Sequence, residues 1–322
     1  MTTKRGWRPG ALEFLAAGLV ALLFAQPYLV DLFDIPSLQA GSTIFVAIMI
    51  QALPFLIFGV LLSGAITAFV PATFWQRILP KNKAAAVPVA SCAGLVLPGC
   101  ECASVPVAGS LMNRGVTPSA ALAFLVSAPA INPIVLISTF VAFPGEPSMV
   151  VARFIASLAT AMLVGWLWLR FGDNRWLRIP QRDHLIGETP FQTFRMTATH
   201  DFLHAGGFLV VGAAAAAAIN VGVPAEWMRA LADHPVFSIL GMAVLAVLLS
   251  ICSEADAFIA ASFTEFSLTA KLTFMVVGPM VDLKLISMQT GIFGRKFASR
   301  FAPTTFVVAV IMSVLVGWWL LR

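Results

Sequence analysis

Long apolar stretches constrain this chain more than any other feature of its sequence. A helix needs about 20 apolar residues to cross the hydrocarbon core of a bilayer. Seven stretches have that length: 11–30, 42–70, 117–143, 148–170, 202–222, 267–291 and 302–321. Hydrophobic residues make up 59% of the chain and charged residues 11%, a composition that does not fit a water-soluble domain. We therefore predict an all-α polytopic membrane protein.

Two further apolar stretches, 84–113 and 235–266, are interrupted in the middle by polar residues. Each half has about 14 residues, which is too short to cross the bilayer alone. Lysine and arginine cluster at the cytoplasmic ends of membrane spans. In this chain they cluster at 4–8, 77–83, 170–195 and 295–300. Counting spans between these clusters requires each interrupted stretch to begin and end on the same side. We predict two re-entrant helical hairpins, the first entering from the cytoplasm and the second from outside.

The same count gives the orientation of the chain in the cell membrane. The N-terminus, which carries Lys4, Arg5 and Arg8, is predicted in the cytoplasm and the C-terminus outside. The basic start followed by an apolar run resembles a signal peptide, but no small-residue cleavage site ends the run. We interpret 11–30 as an extra, uncleaved transmembrane helix. The formal net charge of +5 comes from residues between spans, so we expect no nucleic acid partner.

The sequence contains an internal repeat. The segment FLIFGVLLSGAITAFVPA from Phe55 aligns with FLVVGAAAAAAINVGVPA from Phe208, and further along the chain Cys100 aligns with Cys252. Accordingly, 1–41 is the N-terminal segment with the extra helix, 42–171 the first repeat, 172–200 a cytoplasmic loop and 201–322 the second repeat. Each repeat holds three spans and one hairpin. Because three is odd, the repeats must lie in opposite orientations, as in many secondary transporters.

The tip of the first hairpin consists of Pro98, Gly99, Cys100, Glu101 and Cys102. An ionisable side chain inside a span costs about 2.5–3.5 kcal/mol on insertion scales. Broken backbone at that depth occurs only inside protein or along a wet path. We therefore predict that this tip lines a cavity. If both tips reach the bilayer centre, it lies opposite the second-hairpin residues Cys252, Ser253, Glu254 and Asp256.

A Cys-x-Cys pair beside carboxylates indicates a site for a soft ligand. Two thiolates suit Cu(I) or a trivalent arsenic compound and do not suit Mg²⁺ or Ca²⁺. We predict that Cys100 and Cys102 bind the metal or metalloid, and that Glu101, Glu254 and Asp256 carry protons in exchange. Structural zinc would need two further nitrogen or sulfur ligands. No cofactor is predicted.

Several of these polar residues also have structural interpretations. Glu254 and Asp256 can cap the second half-helix. Asn132 and Asp282 follow prolines that match in the repeat, and they contact a ligand or satisfy carbonyls freed by a helix break. Lys284 can neutralise a buried acid or extend its ammonium towards water.

The remaining cysteines and a pair of histidines have the side chains of metal ligands. Cys92 is interpreted as a packed small hydrophobe, and Cys252 as either packing or binding. His200 and His204 have the i, i+4 spacing of metal ligands on a helix. Because they lie at the mouth of a predicted span, we interpret them as interfacial residues.

The segment GLVLPGCECASVPVAGSLMNRGVTPSAALAFLVSAPAINP resembles the signature of a bacterial permease family that includes the organoarsenical efflux permeases, the YraQ or ArsP-type permeases. The resemblance covers about residues 40 to 320. It implies a cytoplasmic-membrane permease in which Cys100 and Cys102 contact a thiophilic substrate. The second-half segment SICSEADAF departs from the first-half motif, so the binding groups need not be symmetric.

The leading hypothesis is a secondary exporter of a soft metal ion or metalloid compound, and not an enzyme. It would work by alternating access about the two hairpin tips, with the substrate and the lipid bilayer as partners and homo-oligomerisation left open. No Walker A pattern is present. One competing hypothesis is a membrane thiol oxidoreductase using Cys100 and Cys102, although redox pairs usually have Cys-x-x-Cys spacing. Another is a channel or a non-transporting membrane subunit.

Overall fold

The computed structural model describes residues 36–96, 100–173, 175–178, 189–222 and 235–321, and these residues form helices and connecting turns without any strand. The predicted extra helix at 11–30 and two tip residues, Pro98 and Gly99, lie outside this set. The helices are α1 Pro36–Phe69, α2 Ala72–Ile78, α3 Lys83–Cys92, α4 Glu101–Asn113, α5 Pro118–Ile131, α6 Pro133–Ala142, α7 Pro147–Phe171, α8 Pro190–Gly222, α9 Pro235–Leu249, α10 Asp256–Ser262, α11 Leu268–Val277, α12 Leu283–Phe293 and α13 Arg295–Leu320.

Five helical units in this part of the chain are long and apolar enough to cross a membrane. They are α1, α5 with α6, α7, α8 and α13, and they coincide with five of the predicted spans. The all-helical membrane architecture is therefore confirmed. Apolar side chains such as Ile50, Ile137 and Trp319 are 63–69% exposed, as expected for surfaces that face lipid and not water.

Helix α8 begins earlier than the sequence analysis predicts. Residues 190–200, expected in the loop 172–200, are helical. The start carries a capping box, because the Gln192 amide donates to Thr189 Oγ1 and the Thr189 amide donates to Gln192 Oε1, both at 3.3 Å. Pro190 then occupies the first helical position, where its missing N–H costs nothing.

Two predicted spans are broken near their middle. In 117–143 the break is Asn132, whose backbone is extended (φ −64°, ψ 155°) and whose side chain accepts a hydrogen bond from the Val135 amide at 3.0 Å. In 267–291 the helix stops at Val277 and restarts at Leu283, so this predicted single span is two short helices. Asp282 caps the restart by accepting from the Leu285 amide at 2.6 Å. Both side chains therefore cap the start of a helix, a role that differs from the ligand contact or carbonyl contact predicted from the sequence.

The two interrupted stretches form pairs of short helices, α3 with α4 and α9 with α10. A helix rises 1.5 Å per residue, so even α9, with 15 residues, is shorter than the bilayer core of about 30 Å. Helix α3 is extended by one 3₁₀ turn, Ala93–Leu95. Before the second tip, Ser250 has a positive φ of 51°, and its hydroxyl accepts a hydrogen bond from the Leu283 amide at 3.2 Å. This bond joins the second tip to the break in the α11–α12 unit.

Helices α4 and α5 form the centre of the bundle. Every residue of α4 from Glu101 to Met112 is buried, and so is every residue of α5 from Ser119 to Ile131. Around them, α1 packs on α4 and α8, α7 packs on α5 and α13, and α12 packs on α4 and α8. The polar first turn of α4 therefore lies in the interior and not at a membrane surface.

Two glycines allow long helices to approach this centre. At Gly59 in α1, an added Cβ would overlap the backbone of Ala103 in α4, and at Gly212 in α8 it would lie 2.7 Å from the Cα of Lys284 in α12. These are the two glycines that align in the internal repeat. Small residues at such contacts let helices in a membrane pack backbone to backbone.

We predict that Gly59→Ala destabilises the protein, because α1 and α4 must separate to admit one methyl group. Overpacking of this kind costs about 1–3 kcal/mol. The measurement is the midpoint of thermal unfolding in detergent. Gly207→Ala is the matched control, because nothing lies within 4 Å of a Cβ added there, and it should be neutral or slightly stabilising. Equal midpoints for the two variants would contradict the close contact.

Candidate functional site

The centre of the candidate site is a buried ion pair between Glu101, the first residue of α4, and Lys284, in the first turn of α12. Lys284 Nζ donates to Glu101 Oε1 at 2.9 Å, and each side chain is 1% exposed. The same ammonium lies 3.4 Å from Asp282 Oδ2 and 3.9 Å from Cys252 Sγ. The ammonium therefore donates to Glu101 and to the Cys252 sulfur and forms a second, longer ion pair with Asp282. Of the two interpretations of Lys284, the structure supports the neutralisation of a buried acid.

Three thiols surround this ion pair. Cys100 immediately precedes α4, and Cys102 lies in its first turn. Cys252, on the second tip, is near enough to Glu101 and Cys102 for a direct electrostatic interaction. All three are free and buried. The two hairpins therefore bring sulfur atoms to one charged centre.

A second buried ion pair joins the second hairpin to α7. Arg153 Nη2 donates to Asp256 Oδ2 at 2.7 Å, and Arg153 Nη1 donates to Thr139 Oγ1 at 2.8 Å. Arg153 Nη2 also lies 3.4 Å from the carbonyl oxygen of Ser253. Asp256 is therefore held by Arg153, and it forms no hydrogen bond or ion pair with the described residues of the first tip. Arg153 is only six residues from the start of α7 at Pro147, so this pair lies towards the α6–α7 end of the bundle.

Glu254 is placed between the two ion pairs. It interacts electrostatically with Glu101, Lys284 and Arg153. Both of its carboxylate oxygens are buried, and neither has a hydrogen-bond partner within the described part of the chain. The Ser253 hydroxyl is likewise buried there without a partner. A buried carboxylate without a partner is costly, so Glu254 is the group of this site most in need of a proton or a cation.

The charges of the site do not balance. Among the described residues it contains four carboxyl groups, Glu101, Glu254, Asp256 and Asp282, and two cations, Arg153 and Lys284. Full ionisation would leave an excess of two negative charges, four minus two, in a region shielded from water. Because such an excess is strongly unfavourable, the arrangement favours the binding of protons or cationic species.

The remaining predicted residues are less directly involved. Asn132 caps α6, and its amide also donates to the Ala128 carbonyl at 3.3 Å. His200 and His204 stack with ring centroids 5.8 Å apart. Cys92 is exposed on α3. In the described ranges no three His, Cys, Asp or Glu side chains are arranged to hold a metal ion, so metal binding by Cys100 and Cys102 stays a prediction for a transported substrate.

A polar cluster that the sequence analysis missed lies at the other end of α4. Ser63 donates to Asp201 Oδ2 at 2.6 Å, and the Ser110 hydroxyl lies 2.7 Å from Ser63 Oγ and 3.1 Å from Thr67 Oγ1. The predicted spans place Asp201 at the membrane surface. It is instead three turns inside α8, because that helix begins at Pro190. The capping box at Thr189 was the available signal.

Arg153 was also missed. An arginine inside an apolar span far from other basic residues is an uncommon and costly feature, and that was the signal in the sequence. Its partner could not be read from the sequence, since 103 residues separate it from Asp256.

Comparison with known proteins adds a family relationship. A family model described as predicted permease, of the ArsP type, matches residues 37–318. The UPF0718 protein YcgR of Bacillus subtilis (strain 168) is 39% identical over 279 residues, which cover 84% of this chain and 94% of the relative. A Streptococcus mutans protein named "Putative two-component membrane permease complex subunit" is 32% identical over 282 residues, covering 85% and 94%. No solved structure matches this chain.

We predict that Lys284→Met destabilises the protein by about 3–5 kcal/mol, because Glu101 and Asp282 lose their shared cation. The double variant Glu101→Gln/Lys284→Met should recover part of this loss, since it leaves fewer unpaired charges. Thermal unfolding in detergent measures both effects. Lys296→Met, at an exposed residue, is the control and should match the wild type. A Lys284→Met protein as stable as this control would mean that the ion pair is not formed.

Proposed function

We propose a function from the premise that this chain belongs to the predicted permease family, whose members are membrane transporters and not enzymes. The protein is a secondary transporter that exports a soft, thiophilic metal ion or metalloid compound, such as Cu(I) or a trivalent organoarsenical. It works by alternating access and exchanges its substrate for protons. Family membership supports a membrane transporter. The geometry of the two tips supports the substrate class, the alternating access and the exchange for protons.

The observation that carries this proposal is the meeting of thiols and ion-paired side chains at helix breaks inside the bundle. Cys100 and Cys102, Cys252 and the Glu101–Lys284 pair come from three separate interruptions of helical structure. Such interruptions are tolerated in a membrane where they form a substrate or ion pathway. A purely structural centre would be cheaper to build from apolar residues.

Helix packing supports an inverted repeat. If α1 and α3–α7 correspond to α8–α13, the contacts of α5 with α3 and α7 match those of α11 with α9 and α13. The contact of α4 with α12 matches that of α10 with α6. The pairs α1–α8 and α7–α13 each join corresponding helices, as expected across a two-fold axis. The hairpins α3–α4 and α9–α10 then enter from opposite faces.

The two ion pairs support movement between the halves. Glu101, on the first hairpin, pairs with Lys284 of the second half, and Asp256, on the second hairpin, pairs with Arg153 of the first half. Each hairpin is thus held by the opposite repeat. A rocking motion must break or exchange these pairs, so occupancy of the site and the conformation of the bundle are coupled.

Glu254 is the proposed proton carrier. When it is protonated, both ion pairs are undisturbed. When it is ionised, it competes with Glu101 for Lys284 and with Asp256 for Arg153, since it interacts with both cations. Release of its proton would therefore loosen the contacts between the halves, and a bound cationic substrate would restore them.

The thiols give the substrate class. Thiolates select soft species such as Cu(I). A trivalent arsenic compound with two hydroxyl groups can bind two thiols, forming two As–S bonds and releasing two water molecules. The buried position of all three cysteines keeps such bonds away from competing thiols in solution.

A second candidate is a membrane subunit of a larger permease complex. The name of the Streptococcus mutans relative assigns that protein to a two-component complex. In that case transport by this chain would require a separate partner protein.

We expect everted membrane vesicles containing the protein to accumulate Cu(I) or trivalent methylarsenic, and Cys100→Ser and Cys102→Ser to lower the rate at least tenfold. Inorganic arsenite is tested in parallel. Cys92→Ser is the matched control because that thiol is exposed and outside the site, and it should transport at the wild-type rate. Equal rates in all four proteins would remove the thiols from the mechanism. Absence of uptake by purified protein, with uptake in native vesicles, would favour the two-component complex.

Glu254→Gln should separate substrate movement from proton movement. We expect substrate-induced proton flux, followed with a pH-sensitive dye in proteoliposomes, to fall at least tenfold, because the amide cannot release a proton. Glu265→Gln, at an exposed residue, should leave the flux unchanged. Wild-type proton flux in Glu254→Gln would show that another group carries the proton.

A further inference from the structure

Two adjoining cavities lie where α3 and α5 begin, where α7 ends and beside the first turns of α13. The first, of about 180 Å³, is lined by Lys83, Thr117, Ser119 and Leu169 among others. The second, of about 240 Å³, is lined mainly by apolar side chains of α7 and α13. Trp168 and Gly172 line both cavities, so they meet along the last turns of α7.

We infer that these two cavities bind one anionic phospholipid, with its phosphate in the first and the start of an acyl chain in the second. The site is separate from the hairpin tips and does not depend on the transported substrate. A phospholipid is the ligand whose own chemistry changes from anionic to apolar over the same short distance.

The first cavity has the chemistry of a phosphate site. Lys83 supplies an ammonium, and Thr117 supplies a hydroxyl group, which accepts from the Ser119 hydroxyl at 3.4 Å and can itself donate to a phosphate. Arg300 lines the neighbouring cavity and gives a second cation. None of the described residues lining either cavity is acidic. Two cations, with no acidic side chain among these described lining residues, favour an anionic headgroup over a zwitterionic one.

The second cavity has the chemistry of an acyl-chain site. Val164, Leu167, Phe171 and Phe301 line it together with Trp168. At its rim the Arg300 guanidinium lies 3.9 Å from the ring centroid of Trp176. This cation–π contact holds the guanidinium where the apolar cavity opens.

The depth of the two cavities also fits a lipid. They lie at helix ends, with Trp168 and Trp176 beside them, and indole side chains favour the level of the headgroups. Exposed Arg170 and Arg175 lie close by in the chain. By the distribution of basic residues this is the cytoplasmic face, whose leaflet carries the anionic lipids that attract such clusters.

The test is lipid binding to the purified, delipidated protein, measured by native mass spectrometry with phosphatidylglycerol and, in parallel, phosphatidylcholine of the same acyl chains. We expect phosphatidylglycerol to bind at least fivefold more tightly, and Lys83→Gln and Arg300→Gln each to weaken it about fivefold, the effect of one basic residue near an anionic surface. Lys81→Gln and Lys296→Gln remove exposed charges that line neither cavity and should change binding less than twofold.

Three results would overturn the inference. Equal affinity for the two lipids, or equal effects of Lys83→Gln and Lys81→Gln, would leave only general attraction to a basic surface. Displacement of the lipid by millimolar inorganic phosphate would identify a site for soluble anions. Thermal unfolding checks that each variant is folded, and transport measured in proteoliposomes of phosphatidylcholine alone distinguishes failure of this site from failure of the proposed transport function.

Discussion

The structure depends on one buried contact, the ion pair of Glu101 and Lys284. It joins the tip of the first hairpin to the restart of a broken helix in the second half, 183 residues further along the chain. Each charge of this buried pair requires the other, because either charge alone would be far less stable in this position than the two together. The close approach of α1 at Gly59 and of α8 at Gly212 is built around the same two helices. Packing and charge therefore specify the same arrangement of α4 and α12.

The other groups of the site are arranged around this contact. Cys252 completes the partners of the lysine, and the thiols of the first tip lie on the adjoining turn of α4. Towards the α6–α7 end, Arg153 binds Asp256 in the same manner, with the acid on a hairpin and the base on the opposite half. Glu254 stands between the two ion pairs, and within the described part of the chain neither of its carboxylate oxygens accepts a hydrogen bond. A change of charge at Glu254 therefore acts on both pairs at once, because Glu254 interacts with Lys284 and with Arg153.

Much of this fold could be predicted because its main determinants are local. Apolar length identified the spans, and the polar residues within 84–113 and 235–266 identified short helix pairs. Asn132 and Asp282 were recognised beside their prolines, although the predicted roles were contact with a ligand or with freed carbonyls and not the helix caps that they form. One incorrect prediction, the start of α8, also had a local determinant, since the capping box at Thr189 was overlooked. Pairings such as Arg153 with Asp256 depend on how distant helices pack, and no periodicity or spacing in one sequence contains that information. The burial of Lys284 could not be predicted for the same reason, because it depends on the position of α4.

The unequal length of the two returning half-helices has an electrical consequence. Helix α4 has 13 residues and is buried from Glu101 to Met112, whereas α10 has 7 residues and leaves Phe258 48% exposed. At 1.5 Å per residue, α4 is about 20 Å long and α10 about 10 Å long. In the transport cycle proposed above, a charge that passed along α4 between Glu101 and Arg114 would therefore travel about twice as far within the protein as a charge that passed along α10, and it would cross the larger share of the membrane potential.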